Sequence, residues 1–202
     1  MLHELPRILD AAFDDTLNAK GQSATHVATG FALLAGVVLA SSLVNYRQGP
    51  TDANPKEKAR LASLSKPGFQ PERKSFAAVS PPMFLLLNLS AMRVWNAPAG
   101  PERSRALAFW GALQAMQALS TLAGVKRQSV QLGAGLATMA AALAYANDAR
   151  KADPPSAAII TPFVSWMAFA SLIAEELWRR NKDRPDVKLP IPRRNGLAAV
   201  LM

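Results

Sequence analysis

Long stretches without charge alternate along this chain with short stretches that are rich in charge. Lys, Arg, Asp and Glu are absent from five windows, at 21–46, 75–92, 106–125, 128–147 and 154–174. A helix rises about 1.5 Å per residue, so roughly 20 apolar residues cross the hydrocarbon core of a bilayer. Five such windows predict an all-α membrane protein, a five-transmembrane-helix bundle. The predicted spans are about 24–46, 75–95, 105–125, 128–148 and 155–178.

The positive charge of the chain is distributed unevenly between its loops. The formal net charge is +9, and five spans would place 7 Lys and Arg residues on the amino-terminal side of the membrane and 16 on the other side. Lys and Arg are enriched in cytoplasmic loops. We therefore expect an integral protein of a bacterial inner membrane, with its amino terminus outside and its carboxyl terminus in the cytoplasm. Because topology accounts for the basic charge, we expect membrane lipid as a partner and no nucleic acid.

The two ends of the chain differ from the predicted bundle. Residues 1–20 carry Leu2, Leu5, Leu9, Phe13 and Leu17 at helical spacing, which predicts an amphipathic amino-terminal helix. This helix would lie at the lipid headgroups or dock a partner, and both alternatives stay open. Residues 182–202 are basic and contain three prolines, which predicts an extended tail that attracts anionic lipid.

The sequence contains few of the residues that catalytic and metal sites use. The chain has no Cys, and His3 and His26 are its only histidines, so the residues for a thiolate or histidine metal site are missing. The five windows hold no Lys, Arg, Asp or Glu, which disfavours proton-coupled carriers and ion channels. No glycine-rich phosphate loop is present. We expect no enzyme activity, no catalytic or metal-binding residues and no obligatory cofactor.

The windows instead carry aromatic and mildly polar side chains. Asn88, Gln114 and Gln117 must find partners in lipid, most simply across helices. Trp166 lies in the middle of the fifth window, away from the headgroup level where tryptophans concentrate. It either packs between helices or forms a wall for a planar apolar ligand.

Two further patterns concern helix contacts. Small residues recur four apart at Gly36 and Ala40, and again at Gly133, Ala137 and Ala141, which predicts close helix packing or a dimer face. At the end of the fifth window, the spacing predicts ion pairs of Glu175 with Arg179 and of Glu176 with Arg180.

The fifth window resembles the last helix of the TspO/MBR family, the tryptophan-rich sensory or translocator proteins. The positions that match the family pattern in spacing are Pro162, Trp166, Phe169, Ala170, Trp178 and Asn181. Lys66–Pro71, "KPGFQP", resembles the family motif before the second helix, and "ALAFWG" resembles part of the third. The amino-terminal and carboxyl-terminal extensions lie outside the usual family limits.

This resemblance implies a TspO-like bundle, often a homodimer, with a pocket under the first long loop that binds porphyrin, haem or sterol. The ligand-binding residues that we predict for it are Phe76, Phe84, Asn88, Gln117, Phe163, Trp166 and Ala170. Some members are reported to degrade porphyrin in light. Because Ser80, Phe69 and Ser120 stand where the family has tryptophans, we do not expect that activity here.

Two functions follow as hypotheses. The first is an integral membrane protein that binds a tetrapyrrole, sterol or related pigment and acts in its sensing, handling or transport. The alternative is an accessory or assembly subunit of a larger membrane complex, such as a pigment-containing photosynthetic one. The extensions at residues 1–20 and 182–202 would then dock its partners.

Overall fold

A computed structural model of the chain describes residues 17–18, 20–48, 62–123 and 128–182. The described residues form five helices and no strand, so the all-α prediction is confirmed. The helices are α1 (Ala24–Gln48), α2 (Arg73–Asn96), α3 (Pro101–Ala123), α4 (Gln128–Ala152) and α5 (Pro154–Asn181). Each charge-free window overlaps one helix. Residues 1–16 of the predicted amphipathic helix and 183–202 of the predicted tail lie outside the described residues.

The five helices pack as a ring in which chain order and spatial order differ. The most extensive contacts join α5 to α4 and α4 to α3, followed by those of α2 with α5. Helix α1 completes the ring because it packs on both α3 and α2. Residues 49–72, which connect α1 to α2 and which we call the first long loop, therefore lead into a helix that lies beside the last helix of the chain.

Apolar side chains occupy both the centre and the outside of this ring. Leu87, Tyr145 and Phe163 are almost fully buried in the core, whereas Phe31 and Leu39 are 65% and 69% exposed. A bundle surrounded by water rarely exposes so much contiguous apolar surface, whereas one surrounded by lipid does. By length and composition, two of the described helical segments qualify as membrane spans, Ser129–Ala152 and Pro154–Asn181.

A buried ion pair joins α2 to the start of α5. The Arg93 guanidinium donates to both carboxylate oxygens of Asp153 at 2.8 and 3.2 Å, and both side chains are less than one-tenth exposed. Asp153 is also the N-cap of α5, where its carboxylate accepts from the Ser156 amide at 3.2 Å. Two prolines follow in the first positions of the helix, where a missing amide hydrogen costs little.

Hydroxyl groups extend this polar layer towards α4. The Ser90 hydroxyl and the Tyr145 hydroxyl lie 2.7 Å apart, and Ser90 also donates to the Ser156 carbonyl at 2.8 Å. The layer lies at the end of the bundle where α2 and α4 finish and α5 begins. It fixes three helices against each other through bonds that are hidden from solvent.

A close contact of α1 with α2 occurs at a glycine that the sequence pattern did not single out. A Cβ atom added to Gly30 would overlap the indole ring of Trp95. By contrast, Gly36 and Gly133 have no neighbouring atom within 4 Å of such a Cβ. Gly36 and Gly133 therefore do not pack helices together within one chain as predicted, whereas Ala141, in the same set as Gly133, is 8% exposed and belongs to the core. Gly36 and Gly133 both lie on exposed faces of their helices.

Candidate ligand-binding site

Three aromatic side chains form a line between the first long loop and α5. The ring centroids of Phe69 and Phe169 are 6.4 Å apart, and those of Phe169 and Trp166 are 5.9 Å apart. Both separations lie within the range at which aromatic rings attract each other. We call Phe69, Phe169 and Trp166 the aromatic row. Phe69 is 53% exposed, whereas Phe169 and Trp166 are partly buried, so the row leads from the surface into the bundle.

The segment that carries Phe69 is fastened to the end of α5 by one side chain. The Ser65 amide donates to Asn181 Oδ1 at 2.9 Å, and Asn181 Nδ2 donates back to the Ser65 carbonyl at 3.1 Å. Asn181 Nδ2 also donates to the Leu177 carbonyl at 2.7 Å, which closes the last turn of the helix. We call these three bonds the Asn181 clasp. It fastens Ser65, four residues before Phe69, to the end of α5.

A second aromatic contact lies deeper, between α2 and α5. The rings of Phe84 and Phe163 meet edge to face, with centroids 5.6 Å apart and planes inclined by 66°. Phe163 is 1% exposed and belongs to the core, and Phe84 packs against that core. Phe163, Trp166 and Ala170 recur at spacings of three and four, so they share one side of α5.

Asn88 connects α2 to α3 below this contact. Its Oδ1 accepts from Trp110 Nε1 at 3.2 Å and from Gln114 Nε2 at 3.0 Å, and its Nδ2 donates to the Phe84 carbonyl at 2.7 Å. The prediction that Asn88 and Gln114 find partners across helices is confirmed, and each is the partner of the other. The bond from the Trp110 indole was not foreseen, although a buried indole N–H always needs an acceptor. These bonds join α2 to α3 beside the contact of Phe84 with Phe163.

The remaining predicted site residues lie at its margins. Gln117 is partly buried on α3, one turn after Gln114, and therefore faces the same side of that helix. Phe76 belongs to the first turns of α2, but its side chain lies outside the described part of the structure. The fold thus brings Phe84 and Phe163 into contact and places Asn88 directly behind Phe84. That these residues touch a ligand stays a prediction.

Two features escaped prediction, one at the site and one at the opposite end of α5. Asn181 was matched to a family position, but its bonds to Ser65 span 116 residues and leave no local signal. The Arg93–Asp153 pair has a partial signal, since an aspartate before two prolines and a serine is typical of a helix start. Among the described residues, no group of three or more His, Asp or Glu is arranged to hold a metal ion.

What the site offers chemically is an apolar surface of aromatic rings with few described polar groups around it. Aromatic faces bind planar apolar molecules by stacking and by the removal of apolar area from water or lipid headgroups. The side-chain amides of Asn88, behind Phe84, and of Asn181, in the clasp, are hydrogen-bonded to the protein itself. The arrangement is therefore suited to binding and carries no described acid–base pair or nucleophile.

Comparison with known proteins agrees with this architecture. The profile of the TspO/MBR family matches residues 30–179, which include most of α1 and nearly all of α2 to α5. The translocator protein of Ovis aries is 25% identical over 127 residues, which cover 61% of this chain and 75% of the sheep protein. Since the family profile spans well over half of the sequence and all five helices, this chain is a helical membrane protein that belongs to the TspO/MBR family.

Proposed function

We propose that this protein binds a hydrophobic planar ligand at the aromatic row and acts in the sensing, handling or transport of that ligand. The ligand class is a porphyrin or haem-type tetrapyrrole, a sterol or a related pigment. The observation that carries the proposal is the aromatic row itself, whose Phe69 belongs to a segment that the Asn181 clasp fastens to α5. The name of the sheep relative, a translocator, supports a role in movement of the ligand.

The chemistry of the row favours a broad, flat ligand over a compact or charged one. Phe69 and Phe169 present tilted rings, with an angle of 54° between their planes, and Phe169 and Trp166 are inclined by 44°. A planar molecule that slides beneath Phe69 would contact these rings in sequence. Sites of this kind bind mainly through apolar area, and a few polar groups set the orientation of the ligand.

We do not extend the proposal to the degradation of porphyrin in light. Among the positions that carry tryptophans in the family, Ser80 and Ser120 have hydroxyl groups and Phe69 has a phenyl ring. The Ser120 hydroxyl lies on an exposed part of α3 and donates to the Gln117 carbonyl at 2.9 Å. Neither a hydroxyl nor a phenyl group supplies the indole that such chemistry would use.

A titration of the full chain tests the proposal. Haem or protoporphyrin is added to protein in lipid nanodiscs, and the visible absorbance of the ligand and the quenching of tryptophan fluorescence are recorded. We expect saturable binding that weakens about tenfold, or about 1.4 kcal/mol, in Trp166→Leu. The matched control is Trp178→Leu, which lies on the same helix beside Lys182 at 5.9 Å. Binding that does not saturate, or that is equal in both variants, would contradict the proposal.

The second candidate function is that of an accessory subunit in a larger membrane complex. One observation favours it: the described end of the amino-terminal extension, at Leu17, is bonded to the bundle. Asn96 Nδ2 donates to the Leu17 carbonyl at 2.9 Å, and Gln22 Nε2 donates to the Asn96 carbonyl at 3.2 Å. If the protein serves assembly, deletion of residues 1–16 and 183–202 would remove co-purifying partners and leave porphyrin binding unchanged.

A further inference from the structure

A groove of about 260 Å³ lies on the outer surface between α4 and α5. It is lined by Leu136, Met139, Ala168, Ser171, Leu172 and Glu175. Leu136 and Leu172 are 46% and 57% exposed, so the groove opens outwards, towards lipid in a membrane. The Ser171 hydroxyl is already used, because it donates to the Met167 carbonyl at 2.8 Å. The walls of the groove are therefore effectively apolar, and Glu175 is the one charged residue that lines it.

The carboxylate of Glu175 is left without a counter-ion because its neighbour takes both nearby arginines. Glu176 accepts from Arg179 Nε and Nη2 at 2.8 Å each and from Arg180 Nε at 2.6 Å. The ion pair predicted between Glu175 and Arg179 is therefore not formed. Within the described residues, Glu175 has no ion-pair partner. An exposed carboxylate at the mouth of an apolar groove is complementary to an ammonium group on an apolar chain.

This groove is separate from the aromatic row. Trp166 and Glu175 are nine residues apart, which is two and a half turns of an α-helix, so they lie on opposite sides of α5. The aromatic row lies on the side of α5 that meets Phe69 of the first loop, whereas the groove lies on the side that borders α4. A ligand in the groove would not compete for space with one in the row.

We infer that the α4–α5 groove binds a long-chain amine from the membrane, with the hydrocarbon chain between Leu136 and Leu172 and the ammonium group on the carboxylate of Glu175. The apolar walls remove the chain from contact with other lipids, and the carboxylate supplies a charge-assisted hydrogen bond at the mouth of the groove. The unpaired negative charge disfavours fatty acids and other anionic lipids. A neutral alcohol of the same length lacks the charge that the carboxylate selects. This inference is independent of the proposed function of the aromatic row.

Photolabelling of the full chain tests this site. The protein is placed in phosphatidylcholine nanodiscs with a sixteen-carbon amine that carries a diazirine in its chain, and labelled peptides are mapped by mass spectrometry. Competition with the unlabelled amine gives a half-saturating concentration. We expect saturable labelling of α4 and α5 at the groove. Glu175→Gln should raise the half-saturating concentration about tenfold, or about 1.4 kcal/mol.

Three controls separate the groove from general partition into the bilayer. Glu102→Gln changes an exposed carboxylate in the first turn of α3, outside the lining of the groove, and should leave labelling by the amine unchanged. Leu172→Trp fills the groove and should abolish saturable labelling. A photoreactive alcohol of equal length should label the native protein with a half-saturating concentration at least as high as that of the amine in Glu175→Gln. The inference is overturned if amine and alcohol label equally, if Glu175→Gln has no effect, or if labelling by the amine does not saturate.

Discussion

The Asn181 clasp makes the clearest energetic prediction. Asn181→Ala removes three hydrogen bonds, two to Ser65 and one to Leu177, from a side chain that is 8% exposed. Each such bond has a net value of about 1 kcal/mol. Because water can replace part of the loss at Ser65, we expect residues 62–72 to be destabilised by about 2 kcal/mol relative to the rest of the bundle. That energy corresponds to about a thirtyfold increase in the population of the open segment.

Hydrogen–deuterium exchange of the protein in nanodiscs measures this opening directly. The amides of residues 62–72 should exchange about thirtyfold faster in Asn181→Ala, whereas those in the buried parts of α2 and α4 should keep their protection. Arg180→Ala is the matched control, since its side chain bonds only to Glu176 among the described hydrogen bonds. If the exchange of the segment is unchanged, or if the whole bundle exchanges faster, the clasp does not hold this segment as we argue.

Two further predictions concern stability, and thermal or denaturant unfolding in detergent checks both. Gly30→Ala places a methyl group in the ring of Trp95 and should cost about 1–3 kcal/mol through overpacking, whereas Gly36→Ala, which meets no atom within 4 Å, should change stability by less than about 0.5 kcal/mol. Asp153→Ala leaves the buried guanidinium of Arg93 without its partner and should cost about 3–5 kcal/mol. Combining it with Arg93→Met should recover most of that loss, and equal stability of single and double variants would refute this account.

Features that depend on the chemistry of a single segment could be predicted from the sequence. Features that depend on which helix surfaces face each other could not. The pairing of Asn88 with Gln114 was predictable in kind, because amides in an apolar window need partners on another helix. Small-residue spacing, by contrast, indicated Gly36 and Gly133, yet the close contact lies at Gly30. Spacing shows that a helix face carries small residues, but the arrangement of the helices decides whether another helix packs on that face.

The arginines of α5 show the same limit on a smaller scale. Glu175 and Glu176 each have an arginine four residues later, so the spacing alone predicts two equal pairs. In the fold, Glu176 forms ion pairs both with Arg179, three residues later, and with Arg180, four residues later. The outcome leaves one carboxylate unpaired.

The helical membrane character of this protein follows from the sequence by itself, because length and apolarity are properties of each window alone. The family pattern in 162–181 also identified the helix that bears Trp166. The aromatic row, the Asn181 clasp and the groove exist only in the tertiary structure. Each brings together residues from different segments, and the ring order of the helices, which puts α2 beside α5 and α5 beside α4, is set by packing between surfaces that no single window contains.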